Sequence, residues 1–235
     1  MFGKNPVAKN EIKGDGRTLH IVEGSPFYTI QGEGPFAGMP AVFLRLHGCP
    51  LRCFFCDTEF SRPEDPILDV SRILEEIEKC APKHCQLIVI TGGEPVRQNL
   101  EPLLEELEEA GWLVQIETAG ILWQDCLVGT RIIVSPKTPT IHPKIEEYAH
   151  AYKYVIRDGE VDEQDGLPLT NTQVEGGKPS RLARPKGVPF GGIFLSPMDE
   201  QDLVKNAKNT SAVGKLAMMY GYRAGIQLHK LMDLP

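Results

Sequence analysis

The sequence predicts an α/β fold with a mostly parallel sheet and right-handed crossovers. Two observations carry that expectation. From Ala41 onward, short apolar runs alternate with stretches whose apolar residues recur at helical spacing. The unusual turns fall just after the apolar runs, where loops at the C-terminal ends of parallel strands build a site. With 235 residues, 41% of them hydrophobic and 24% charged, the chain can bury one sizeable core, and a single domain over 1–235 is expected.

Taken in order, residues 41–46 (Ala-Val-Phe-Leu-Arg-Leu) read as the first strand, apolar except at Arg45. Asp69 is placed to cap a helix presenting Val70, Ile73, Leu74 and Ile77 at i, i+3, i+4 and i+7. Residues 86–90 make a strand running into Thr91-Gly-Gly-Glu-Pro95. A second amphipathic helix carries Leu100, Leu103, Leu104 and Leu107 and stops at Gly111, a natural residue past a helix end. Strands near 112–117 and 131–135, a short helix near 144–150 and a strand at 152–156 follow. Residues 157–191, rich in Gly, Pro, Asp and Lys without apolar period, read as an irregular insert, either a functional loop or a flexible one. A strand near Ile193–Leu195, a helix from about Asp199 to Tyr220 and a strand over Arg223–Leu228 complete the chain.

Composition narrows the function. A net charge of −7 argues against a general nucleic-acid-binding surface, which needs clustered Lys and Arg. No apolar run reaches the length of about 18 residues that spans a membrane, and the N-terminus lacks the apolar core of a signal peptide. A cytoplasmic protein with no direct nucleic-acid or membrane partner is expected. In such a chain six cysteines favour metal binding or catalysis over disulfides. Cys80, Cys85 and Cys126 lie scattered in apolar patterns and read as small buried hydrophobes.

Cys49, Cys53 and Cys56 are different, standing at C-x3-C-x2-C just beyond the first apolar run. Three thiolates hold three irons of a [4Fe–4S] cluster and leave the fourth open to a small ligand. An electron-transfer ferredoxin normally adds a fourth cysteine, and a structural zinc wants a fourth donor. In Thr91-Gly-Gly-Glu-Pro95 two glycines allow close backbone approach, and Glu94 offers a carboxylate to an ammonium group. Alone, that segment is equally a strand-to-helix turn.

Together the two motifs resemble the radical S-adenosylmethionine superfamily. The resemblance implies a partial TIM-like barrel of mostly parallel strands, with S-adenosylmethionine held on the open iron and cleaved to a radical that takes a hydrogen atom from substrate. A second layer is more specific: Phe27-Tyr-Thr-Ile-Gln-Gly-Glu-Gly34, then Asp57-Thr58 directly after the third cysteine, then the ending Gln227-Leu-His229-Lys230-Leu-Met-Asp-Leu-Pro235. These are similar to the 7-carboxy-7-deazaguanine synthase family, from about residue 22 to the last residue and least so over 157–191. Membership would imply radical ring contraction of 6-carboxy-5,6,7,8-tetrahydropterin to 7-carboxy-7-deazaguanine with loss of ammonia, in the route to queuosine and related deazapurines. It would also imply an assisting Mg²⁺, a reducing flavodoxin or ferredoxin, and a homodimer.

The resemblance assigns residues as well. Cys49, Cys53 and Cys56 would hold the cluster and Thr58 the Mg²⁺. Phe55, Cys56, Asp57, Gly93, Glu94, Ser135, Pro136, Lys137, Ser196, Pro197, Met198 and Asp199 fall where the family binds S-adenosylmethionine. Ile30, Gln31, Gly32, Glu33, Arg45, Thr91, His229 and Pro235 fall where it binds substrate, the last through its terminal carboxylate. Glu117 and Thr118 follow a strand and are candidates to line the same pocket as Glu94, that of S-adenosylmethionine. The chemistry is consistent, since Gln31 and Glu33 can read the donors and acceptors of a pterin edge. A buried Arg45 needs an anionic partner, and its fork matches a carboxylate bidentately. Without the resemblance these would read as a polar turn and a structural ion pair. No side chain is required as an acid or base in the first step, because the cofactor carries the hard chemistry. Two rivals share the cysteine spacing or its metal chemistry: a radical-generating activase of a partner protein, and a zinc or iron–sulfur module with a structural role.

Overall fold

The computed structural model describes residues 5–173, 180–187 and 189–235. The strands are β1 (Thr18–His20), β2 (Phe27–Ile30), β3 (Pro40–Leu46), β4 (Ile67–Asp69), β5 (Leu87–Gly92), β6 (Leu113–Thr118), β7 (Arg131–Val134), β8 (Ala151–Ile156), β9 (Ile193–Pro197) and β10 (Arg223–Ala224). The helices are α1 (Val70–Cys80), α2 (Glu101–Glu109), α3 (Pro143–Tyr148), α4 (Leu203–Tyr220) and α5 (Leu228–Leu231). Eight strands form one sheet in the order β2-β3-β5-β6-β7-β8-β9-β10, and β1 pairs separately with β4. Every neighbouring pair in the large sheet is parallel except β2–β3. The expected mostly parallel α/β class holds.

The strand order never reverses, as in the wall of a barrel, but β2 and β10 stay unpaired with each other. Distances show how far the wall curls. Laid flat, eight strands at about 4.8 Å spacing would separate the two edges by about 34 Å. Yet Leu228, four residues past the end of β10 and so at most about 14 Å of extended chain away, donates its N–H to the carbonyl of Gly32, two residues past β2 (3.2 Å). The sheet is therefore strongly bent, and the segment after β10 bridges the gap in place of strand pairing.

Alternation along the strands separates the two faces of this wall. Val42, Leu44, Leu46, Ile88, Ile90 and Ile116 point outward and join Ile73 and Ile77 of α1 and Leu103 and Leu107 of α2 in one apolar cluster. The helices form because that face exists to receive them, each fully buried Leu or Ile contributing about 1.5–3 kcal/mol. The concave face is apolar at its base, with Ala41, Leu87 and Val89 packed on Phe43, and Ile133, Ala151 and Phe194 clustered nearby. Further along the strands it turns charged, at Arg45, Glu117 and Lys153.

Several sequence expectations need correction. Asp69 makes no capping hydrogen bond; it ends β4, paired with Thr18 of β1, and the helix starts at Val70 without a side-chain cap. The helix expected from Asp199 begins at Leu203, because Asp202 caps it by accepting from the N–H groups of Val204 (2.9 Å) and Lys205 (3.1 Å). The strand expected over 223–228 is two residues long, since Gly225 donates to the Leu195 carbonyl (2.8 Å) and the chain leaves for β2. β1, β2 and β4 were not anticipated. Of the 157–191 insert, residues 174–179 and 188 lie outside the described residues. The remainder is irregular but anchored: Leu167 and Leu182 join the main core, and Tyr154 of β8 donates its hydroxyl to the Ala183 carbonyl (2.7 Å). It covers the outer face where a crossover helix would otherwise lie. Cys85 is buried, and Cys80 and Cys126 pack against the core as expected of small hydrophobes. No described helix is long and apolar enough to cross a membrane.

Candidate active site

Two adjoining cavities open at the C-terminal ends of the strands. The first, about 230 Å³, is lined by all three motif cysteines together with Phe55, Asp57, Gly93, Glu94, Ser135, Lys137, Ser196, Pro197 and Asp199. Glu117 and Thr118 line it too. Pro136 is buried and lies outside the lining. Met198 is buried as well, its N–H donating to Ile156 (2.8 Å) and its carbonyl accepting from Asn209 (2.9 Å).

The glycine pair of the 91–95 turn fixes how close the cysteine loop sits. A Cβ on Gly92 would lie 2.2 Å from the backbone of Leu46, and one on Gly93 2.2 Å from the Gly48 carbonyl. The turn is stitched down by N–H groups of Gly93 to Leu46 (2.9 Å) and Glu94 to Gly48 (3.0 Å). On its other side the cysteine loop is held by residues of the insert. Phe54 donates to the Thr172 carbonyl (3.1 Å), Arg52 donates its N–H to Gln173 Oε1 (3.0 Å), and the Thr172 hydroxyl meets Cys53 Sγ at 3.0 Å. Nothing local in the sequence around Thr172 signals that contact.

Glu94 is almost completely buried. Its carboxylate accepts from Thr118 Oγ1 (2.7 Å) and the N–H groups of Ala119 (2.8 Å) and Val96 (3.3 Å). Burial pushes its pKa up, and those three donors oppose the rise. About one acceptor position of the four on a carboxylate is left for a ligand. Burial likewise raises the thiol pKa of Cys49, with the Glu94 carboxylate adding to it, and that of Cys56. Metal binding deprotonates such thiols. The donor set fits an iron–sulfur cluster: three thiols on one loop, one cavity, and two glycines where side chains would intrude. Lys137, whose ammonium lies 5.9 Å over the Phe55 ring and bonds to the Ser135 carbonyl (3.0 Å) and hydroxyl, is a cation of this cavity, along with Lys153.

The second cavity, about 220 Å³, is lined by Ile30, Gln31, Glu33, Arg45, Thr58, Thr91, His229 and Pro235, and by Phe27, Thr29, Lys153 and Gln227, which the sequence reading did not single out. Gly32 does not line it but makes room for His229, since a Cβ there would lie 2.0 Å from its Nδ1. Lys153 is the hub. Its Nζ bridges Glu33 Oε2 (2.9 Å) and Glu117 Oε2 (3.0 Å), while Glu117 Oε1 accepts from Gln31 (3.1 Å) and Gln115 (2.9 Å). Burial pushes Glu33 up, but the Lys153 ammonium outweighs it and holds the carboxyl below the usual range. Burial would lower Lys153, and the two carboxylates raise it instead. The signal for Lys153 was available: a lone charge inside the apolar run 152–156, the same pattern that marked Arg45.

Arg45 differs from Lys153 in being unpaired. Among the described residues no carboxylate lies within ion-pair distance of its guanidinium, which stacks over Phe27 at 4.8 Å. Burial lowers its pKa, with Asp57 and Glu117 opposing at longer range. On the neighbouring strand β2, the Thr29 hydroxyl donates to the carbonyl oxygen of Pro235 (3.0 Å). The cavities share Glu33, Asp57, Thr91, Gly92, Glu117, Lys153 and Gln227, so a molecule in one touches the wall of the other.

The curled parallel sheet and the three-cysteine cavity at its strand ends define a radical SAM protein, and the sequence pattern of the Radical SAM superfamily matches residues 44–128. The chain is 43% identical to the 7-carboxy-7-deazaguanine synthase of Rhodospirillum rubrum, covering 100% of both. It is 36% identical to that of Rickettsia prowazekii, covering 100% of this chain and 96% of the relative. Among solved structures, QueE from Escherichia coli superposes with a TM-score of 0.63 at 25% identity, over 89% of this chain and 94% of that one. The chain belongs to the 7-carboxy-7-deazaguanine synthase family. Membership brings with it a [4Fe–4S] cluster, S-adenosylmethionine, a small-molecule substrate and a source of electrons.

Proposed function

We propose that this enzyme converts 6-carboxy-5,6,7,8-tetrahydropterin to 7-carboxy-7-deazaguanine with loss of ammonia. The observation that carries the reading is Arg45, an unpaired, largely buried cation in a polar cavity that adjoins the three-cysteine cavity. Its fork matches the substrate carboxylate. Gln31, Glu33 and Glu117 supply acceptors to the amine edge of the pterin, and Lys153 holds the Glu33 carboxyl below its usual range while fixing the positions of both carboxylates. His229 and Pro235 close the far side. Cys49, Cys53 and Cys56 would hold the cluster, with Glu94, Lys137 and Asp199 around S-adenosylmethionine; when bound, the pair supplies the hydrogen-abstracting radical. The residues lining both cavities hold the substrate toward the cofactor and exclude water from between them.

Arg45→Gln is expected to raise KM about 100-fold, on the order of 3 kcal/mol for a lost charge-assisted pair, with cluster absorbance unchanged. An unaltered KM would overturn the assignment. Asp57 and Thr58 line the same cavity, with the Thr58 hydroxyl donating to Asp57 Oδ1 (3.2 Å). That is an all-oxygen pair suited to Mg²⁺, which keeps several waters and borrows substrate oxygens. Turnover should fall on chelation of Mg²⁺ and return on its addition, and a Thr58→Val enzyme should need more of it. A rate indifferent to Mg²⁺ would remove this part of the reading.

A further inference from the structure

A third cavity, about 390 Å³, lies behind the cysteine loop and shares no residue with the other two. Lys13, Thr18, His20, His47, Ser61, Arg97 and Gln98 supply its polar side chains, the Ser61 hydroxyl being spent on Asn5 (3.1 Å). Among the described residues no aspartate or glutamate lines it, although the chain carries a net charge of −7. Arg97 is only 6% exposed. Its Nε donates to the Lys9 carbonyl (2.9 Å), and among the described residues the guanidinium has no carboxylate partner. A Cβ on Gly48, the residue before Cys49, would lie 2.5 Å from Arg97 Nη1, so the guanidinium sits directly beneath the start of the cysteine loop. A guanidinium buried this far without a counter-charge is costly unless a ligand supplies one.

The histidines add a second kind of group. Their rings stack at 3.7 Å, 7° from parallel. His20 Nε2 lies 2.9 Å from the Asp65 carbonyl, and His47 Nδ1 lies 2.8 Å from Asp65 Oδ2. Facing acceptors, both of those nitrogens act as donors, and the His20 ring, whose pKa burial lowers, keeps Nδ1 as an acceptor. Asp65 itself is consumed by His47 and by the N–H groups of Glu23 (3.0 Å) and Arg62 (3.0 Å), and it is not part of the lining. Gln98 is spent on the backbone of His20 and His47. Lys13 stands at the rim, 3.7 Å from Glu11 in an exposed pair that holds it only weakly.

We propose that this cavity binds a small hydroxyl-bearing oxyanion, hydrogen phosphate being the simplest, with Arg97 and Lys13 as its cations and His20 Nδ1 accepting its hydroxyl. The site is separate from the substrate cavity, whose cation without a carboxylate partner among the described residues is Arg45. Equilibrium dialysis of the cluster-loaded enzyme against labelled inorganic phosphate tests this. One phosphate per chain should bind saturably. Arg97→Gln should weaken it at least about tenfold, the scale of one charge-assisted contact. Lys13→Glu, a change at the exposed rim that leaves the core intact, should weaken it at least about threefold. Arg45→Gln should leave it unchanged. Absent saturable uptake, uptake that survives Lys13→Glu, or uptake lost with Arg45→Gln would each overturn the proposal. If Arg97→Gln fails to fold, the Lys13→Glu and Arg45→Gln results decide the matter.

Discussion

The cavity at the cysteine loop draws its chemistry from runs of neighbours, Cys49–Asp57, Gly92–Glu94 and Ser135–Lys137, whereas the charged cavity takes one to three side chains from each of β2, β3, β5, β6, β8 and α5. Loop geometry organises the first: glycine contacts and backbone hydrogen bonds fix it within a few residues. Sheet curvature organises the second, which exists only because β8 and the segment beyond β10 are brought round to β2. The difference teaches where damage should spread. A lesion in the first cavity should stay local, while a lesion in the second should loosen the wall itself.

Cys53→Ala puts that contrast to the largest test. Visible absorbance of the cluster and turnover should both vanish, while calorimetric binding of the tetrahydropterin stays within about threefold, because Cys53 lines the first cavity and not the second. Loss of substrate binding along with the cluster would show the two cavities to be one unit. Lys153→Met comes next. Removing one partner from a buried ion pair costs about 3–5 kcal/mol, here because Glu33 and Glu117 are left facing each other with side chains 16% and 17% exposed. Urea unfolding should register that loss, and adding Glu33→Gln should recover part of it. A stability change below about 1 kcal/mol would mean the hub is not what holds the wall.

The smallest effect belongs to the latch between the two regions. Asp199 lines the first cavity, and Lys230 of α5 reaches it at 2.7 Å. The Lys230 ammonium, then the Gln201 N–H, hold the Asp199 carboxyl at about 2, below its usual value near 3.8. A depressed folded-state pKa gives stability that is fully present above pH about 4 and lost as the pH falls toward about 2. In the cluster-free chain, Asp199→Asn should therefore lower stability at pH 5 and leave it nearly unchanged at pH 2. Equal losses at both values would detach the latch from the carboxylate's charge.

How much of this was legible follows the same division. The cysteine motif, the glycine turn and the outward apolar residues Val42, Leu44 and Leu46 could be read because neighbours in sequence decide them. Arg45 could be read because a charge in an apolar strand stands out, and by that logic Lys153 between Tyr152 and Tyr154 was readable and missed. Thr172 and Gln173 were not readable, since their contact with the cysteine loop spans 119 and 120 residues and depends on the insert packing over β8. The short β10 belongs with them. Its end is set by Leu228 meeting Gly32, a tertiary contact that no local propensity encodes.

The bridge from β10 to β2 also orders events in time. Thr29 and Pro235 meet across 206 residues of sequence, whereas the N–H groups that seat the glycine turn reach back fewer than 50. Contacts of high sequence separation form late, because the intervening chain must already be arranged before they gain anything. The glycine turn can thus take shape against the cysteine loop while the second cavity is still open on one side. On that order, metal loading is expected to be separable from substrate recognition as the enzyme matures.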